Sequence, residues 1–188
     1  VANTFYWMVR QVERADNLAR LIDVNQQLLL DSERLDSGRL GGFWRPIVLS
    51  TGDHDLFSEL YDKAGSVEVI RFLTEDPRNP NSIVSCISQA RENARTVRDQ
   101  LSDELWEEIN SLYLFACSAE ARRLVSADPP RFYQRVRRAA ETFLGIASST
   151  IPRSEAWDFM ELGRHLERAD KTTRILDVKY FLLLPSPE

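Results

Sequence analysis

The chain has little glycine, little proline and almost no cysteine or histidine: 7 Gly, 8 Pro, 2 Cys and 2 His among 188 residues. So few turn formers, beside abundant Leu, Ala, Glu and Arg, favour helix over sheet. Cys86 and Cys117 are too few for a disulfide framework, and neither sits in a zinc-binding spacing, so a reducing cytoplasm suits them. The two histidines offer no metal site. Glu161 and His165 stand four apart, not the three of di-iron helical bundles, and His165 reads as a packed core histidine. Basic residues are not in excess: 24 Lys and Arg face 29 Asp and Glu, a net charge of −5 that argues against nucleic acid as partner. No apolar run approaches a bilayer span and no signal pattern opens the chain, so no membrane partner is expected. "GRLGGFW" lacks the Lys-Ser/Thr of a phosphate loop, and nothing else calls for a cofactor.

What remains is a soluble globular composition, 43% apolar and 28% charged, enough for one domain over residues 1–188. The opening Val1, not a methionine, suggests a few missing residues. The apolar pattern is helical nearly throughout. Met8, Val12, Ala15, Ala19 and Ile22 mark one face of a first helix ended by "DSGRLGGFW". Short helices are expected over 43–50, 56–63 and 67–74. Past the turn cluster "EDPRNPNS", Ile83, Ile87, Ala90, Ala94, Val97 and Leu101 predict one long helix, with Cys86 buried beside its stripe. Ser102 starts the next, running to "ADPP", where Asp128 caps and Pro129 opens another. That helix buries Phe132, Val136, Ala139, Phe143 and Ile146. Ser154 caps the last, from Glu155 towards Tyr180. The fold class is all-α, an antiparallel helical bundle.

Setting Glu13 on Glu167 aligns residues 5–30 with 159–184 and gives 12 identities over 26 positions. Chance would supply roughly one or two, so the long helix is internally duplicated. At about 100° per residue, Arg10, Glu13, Asn17 and Arg20 lie opposite the first apolar arc. Arg164, Glu167, Lys171 and Arg174 repeat them, opposite Leu162, Leu166, Ala169 and Leu176. In this reading Glu13 holds the Arg10 guanidinium in one orientation, a fork suited to a carboxylate or phosphate. Three roles stay open: exposed ladders such as Asp16–Arg20 and Asp170–Arg174, a buried network between helices, or a ligand site. Exposed ladders would contribute only ~0.3–0.5 kcal/mol per pair. A third stripe, Arg91, Arg95 and Arg98 with Glu92 and Asp99 beside it, would complete an Arg/Glu-lined groove if it faced the other two. Arg131, Arg135 and Arg138 read as a solvated basic face.

The stretches "FYWMVRQVERADNLARLIDVN", "RFLTEDPRNPNSIVSCISQARENARTVRDQLSDELWEEINSLY" and "WDFMELGRHLERADKTTRILDVKYFLLLPSPE" resemble the alpha-E family, a bacterial helical domain named for its "ER" motif. The resemblance covers essentially the whole chain and carries over Arg10, Glu13, Arg14, Arg164, Glu167 and Arg168 as motif positions. Family members usually continue past the equivalent of "LLLPSPE", which implies an N-terminal part of a longer architecture. Apolar surface around "KYFLLL" would then be covered by self-association. Family members are typically encoded beside circularly permuted ATP-grasp ligases and transglutaminase-like peptidases. This implies a role in making, modifying or removing an amide-linked peptide product. The resemblance implies a site that binds an anionic group, or alternatively a non-catalytic adaptor docking the ligase. It leaves open whether the domain is an enzyme.

Overall fold

Met8, Val12, Ala15, Ala19 and Ile22 are each no more than 1% exposed, and the helix that carries them, α1 (Ala2–Glu33), is the centre of the molecule. The computed structural model describes the backbone of residues 1–33 and 44–183 and the side chains of residues 1–28 and 44–176. The described residues contain helices and no strand. Three short helices follow α1: α2 (Arg45–Thr51), α3 (His54–Leu60) and α4 (Ser66–Thr74). The longer ones are α5 (Ile83–Thr96), α6 (Asp103–Ala116), α7 (Ala119–Ala127), α8 (Pro129–Thr150) and α9 (Glu155–Leu183). None of the described helices is long and apolar enough to cross a membrane.

Local chemistry sets most boundaries. The Ser102 hydroxyl accepts from Leu105 N and starts α6; the Asp128 carboxylate accepts from Arg131 N ahead of Pro129, starting α8. The long helix expected through Leu101 instead stops at Thr96. A 3₁₀ turn over Arg98–Gln100 follows. Val97 and Leu101 are buried all the same, because a four-residue apolar spacing survives a tightened turn. The helix expected from Ser102 to "ADPP" is two. Ser118 caps α7 by accepting from Ala121 N, a Ser with Glu120 in the first turn that the apolar pattern concealed. On α8, Ala140 and Ala147 take the buried places expected for Ala139 and Ile146.

Contacts give the directions. Arg14 meets Asn81 and Gln11 meets Gln89, so α5 runs against α1; Arg20 meets Glu141 and Asp23 meets Arg137, so α8 does too. The α9 pairings rise together with α1: Tyr6 with Gly163, Arg10 with Glu167, Glu13 with Arg168. The first and last helices therefore lie side by side and parallel, which corrects a purely antiparallel arrangement.

The expected apolar arc of α9 is also corrected. Leu162, Leu166 and Leu176 are 48%, 44% and 63% exposed, and Ala169 is exposed with them. Met160, Gly163, Glu167 and Lys171 face inward instead. The stripe of α1 that carries Arg10 and Glu13 is what α9 covers, and only the polar side of α9 can partner those charges. His165 turns outward with the leucines, its side chain 67% exposed and 3.3 Å from Glu161 Oε2, so it is not a core histidine. Cys86 is buried as expected; burial pushes its thiol pKa up to about 12 and leaves it inert. The self-association expected through "KYFLLL" concerns side chains outside the described residues.

Candidate ligand site at the seam of the first and last helices

The two "ER" dipeptides meet across the α1–α9 seam, each glutamate receiving the other's arginine. Arg14 Nε and Nη2 donate to Glu167 Oε1 and Oε2 at 2.7 and 2.9 Å, a bidentate fork. Arg168 Nε donates to Glu13 Oε1. Arg10 Nε donates to Glu167 Oε2 at 3.0 Å, and its Nη1 donates to Tyr6 Oη at 2.6 Å. Arg10 therefore does not lean on Glu13, as its spacing suggested; the carboxylate across the seam is a closer fit than the neighbour three residues on. Both glutamates are buried, with Glu167 fully enclosed.

The geometry is asymmetric where the sequences match. Arg164, the counterpart of Arg10, reaches Glu161 at 3.5 Å on its own helix and leaves Glu13 with one arginine. Arg20 binds Asp16 at 2.8 Å and Glu141 at 2.6 Å; Arg174 binds Asp170 at 2.9 Å, its guanidinium against Gly52. These two rungs flank the seam. Arg91 and Arg95 lie elsewhere. Arg91 stacks on Trp106 and Tyr113 of α6, and Arg95 pairs with Glu92 on the exposed side of α5, so the third stripe does not complete a groove. Two partners went unread in the sequence. Tyr6 was legible one turn before Arg10. Asn81, which accepts from Arg14 Nη1 at 2.6 Å and donates to Asp53 at 2.7 Å, stood in a segment read only as a turn.

Beside the seam opens a cleft of about 300 Å³ lined by Glu13, Asp16, Asn17, Arg168 and Lys171, among others. Three of these residues carry a buried side-chain atom that no described residue pairs with: Glu13 Oε2, Asp16 Oδ1 and Asn17 Nδ2. Lys171 is only 9% exposed and makes no hydrogen bond or ion pair with any described residue. Burial holds its ammonium below the usual lysine pKa, against the pull of Glu167.

The seam also predicts acid sensitivity. Burial works to raise the Glu167 pKa, but the Arg14 and Arg10 hydrogen bonds overcome it and hold the group below the usual glutamate range. Arg78 holds Asp76 far below its usual range, against burial and with help from Tyr61. A folded pKa below the unfolded one stabilises fully above the unfolded value and is lost as pH falls through the folded one. The urea midpoint should stay level down to roughly pH 5 and decline below roughly pH 4. Glu167→Gln should make that decline shallower; an identical decline would show that the seam takes no part in it.

A helical domain locked by reciprocal Glu–Arg pairs between its first and last helices is what these residues define. The family model described as a predicted alpha-helical domain with a conserved ER motif matches residues 1–188, and the chain belongs to this Alpha-E family. An uncharacterized protein of Mycobacterium bovis is 26% identical over 197 residues, covering 94% of this chain and 22% of that protein. Uncharacterized proteins of two Mycobacterium tuberculosis strains match with the same identity and coverage. The chain thus spans about a fifth of the length of the curated relatives it matches. No solved structure matches it.

Proposed function

We propose that this domain binds the polar end of a small molecule in the cleft beside the seam. It does so in partnership with an ATP-grasp amide ligase and a transglutaminase-like peptidase that make or modify an amide-linked peptide product. One observation carries the reading: three buried polar atoms that no described residue pairs with, and the amine of a lysine only 9% exposed, belong to residues around a single cleft. Each such atom costs about 1–3 kcal/mol when left unpaired, which a ligand that pairs them would recover. An anionic group is met here by Lys171; Arg10 and Arg14 already grip Glu167 and hold the cleft wall in place. The matching charges of α1 and α9 support descent from one duplicated helix, with the ligand side built where the copies diverged, at Asn17 and Lys171.

The test is mass spectrometry of the product formed by the ligase and peptidase encoded with the domain. Lys171→Met and Glu13→Gln should each lower product at least about tenfold, with melting curves close to the parent for Lys171→Met. Unchanged product in both would end the reading.

A second reading has its own observation. Leu162, Leu166 and Leu176 form an exposed apolar face on α9, as expected of an adaptor that docks the ligase. Loss of ligase co-purification in Leu166→Glu, with Lys171→Met still binding and active, would favour docking.

A further inference from the structure

The polar cleft continues into a second compartment of about 320 Å³ with Asn17, Arg20, Lys171 and Ile175 common to both. Its remaining wall is mostly aliphatic, from Leu18, Leu21, Val24 and Leu28 on α1. Val24, Leu28 and Ile175 are 50%, 44% and 40% exposed, so this wall is accessible to a ligand. Both compartments stand at the small end of ligand-binding cavities, which run from about 300 to 1,000 Å³.

The charges sort the candidates. Arg168 occupies one Glu13 oxygen and Arg20 one Asp16 oxygen, leaving a carboxylate oxygen on each that accepts hydrogen bonds. Lys171, Asn17 Nδ2 and the Nη groups of Arg168 are the donors that face them. A simple anion would satisfy Lys171 and leave the second oxygens of Glu13 and Asp16 without a donor. A simple amine would satisfy the carboxylates and stand against an ammonium. A group carrying both an ammonium and a carboxylate or carbonyl answers both halves.

We infer that the cleft takes an α-amino acid unit with an aliphatic side chain, either free or as the N-terminal residue of a short peptide. Its α-ammonium lies by Glu13 and Asp16, its carboxylate or carbonyl by Lys171 and Asn17, and its side chain along Leu21, Val24 and Leu28. This rests on the cleft being a ligand site and names the ligand class for it.

Isothermal titration of the whole chain with five probes tests the inference: leucine, leucylglycine, glycine, 4-methylpentanoate and 3-methylbutylamine. Leucine or leucylglycine should bind, and whichever is tighter identifies a free amino acid or a peptide end as the source. Removing the ammonium or the carboxylate should weaken binding about tenfold or more, because each removes a charge-assisted hydrogen bond. Glycine should be weaker than leucine by about tenfold for want of side-chain burial. Val24→Asn, at an exposed position the fold does not depend on, should lower leucine affinity and leave glycine alone. 4-Methylpentanoate or 3-methylbutylamine binding as tightly as leucine, with Lys171→Met or Glu13→Gln abolishing it, overturns the amino-acid assignment and leaves the cleft a ligand site. No binding by any probe overturns the assignment too. If product output is also unchanged in Lys171→Met and Glu13→Gln, the ligand site falls with it.

Discussion

Glu167→Ala should melt roughly 10 °C below the parent protein. Glu167 is fully buried and receives three guanidinium hydrogen bonds, two from Arg14 and one from Arg10. Removing it leaves two mostly buried cations without the carboxylate that pairs them both. Breaking a buried pair in this way costs about 3–5 kcal/mol, and in a domain of this size each kcal/mol moves the melting point by about 2–4 °C. The cost belongs to the stranded arginines more than to the attraction lost. Replacing all three partners with methionine should therefore recover most of the stability, since apolar groups of similar volume often serve as well as a buried ion pair. Thermal melts followed by circular dichroism decide this. A Glu167→Ala melt within a degree or two of the parent would mean that water reaches the arginines and the seam is not sealed.

Gly163→Ala is the second large effect, and its sign opposes the helix scale. Alanine is favoured over glycine inside a helix by about 1 kcal/mol, so by propensity the change should stabilise α9. At Gly163, however, a methyl group would stand 2.5 Å from the Tyr6 carbonyl oxygen, in the backbone of α1. A backbone atom cannot swing aside, so the helices must separate, at an overpacking cost of about 1–3 kcal/mol and with the Arg10 and Arg14 forks stretched beyond that. We expect net destabilisation of about 1–2 kcal/mol in urea melts. Gly145→Ala is the matched control: nothing lies within 4 Å of the added carbon, and stability should rise by up to about 1 kcal/mol. A Gly163→Ala midpoint at or above the parent's would refute close contact at the seam.

The difference between those two glycines is invisible in the sequence, and it shows where reading stops. Apolar spacing placed α1, α5, α6 and α8 and found most of the residues they bury, because each has one stripe that must leave water. Ser102 and Asp128 announced their helices through their own hydrogen bonds. In α9 the same method failed. That helix has two coherent stripes, Leu162–Leu166–Leu176 and Gly163–Glu167–Lys171, and which one is covered depends on what α1 presents. The site was legible in part for a related reason. The recurrence of Arg10, Glu13 and Arg14 as Arg164, Glu167 and Arg168 marked the residues that converge, Arg164 excepted, which turns to Glu161 on its own helix. Periodicity, however, reports neighbours on one helix, whereas these residues find their partners on the other. Arg91 and Arg95 shared the charge pattern and not the place, since Trp106 and Tyr113 hold Arg91 against α6.

The seam joins residues 153 to 157 positions apart, the first helix to the last. Closing so long a loop has an entropic cost that no local contact offsets, so this pairing belongs late in folding, after α5 and α8 have gathered around α1. Until α9 docks, the charges of α1 are open to water and the apolar core is already closing beneath them. The ER cross then acts as a latch set on a nearly finished domain. Weakening it should quicken unfolding and leave the folding rate almost untouched, which makes the motif a determinant of how long the folded cleft persists.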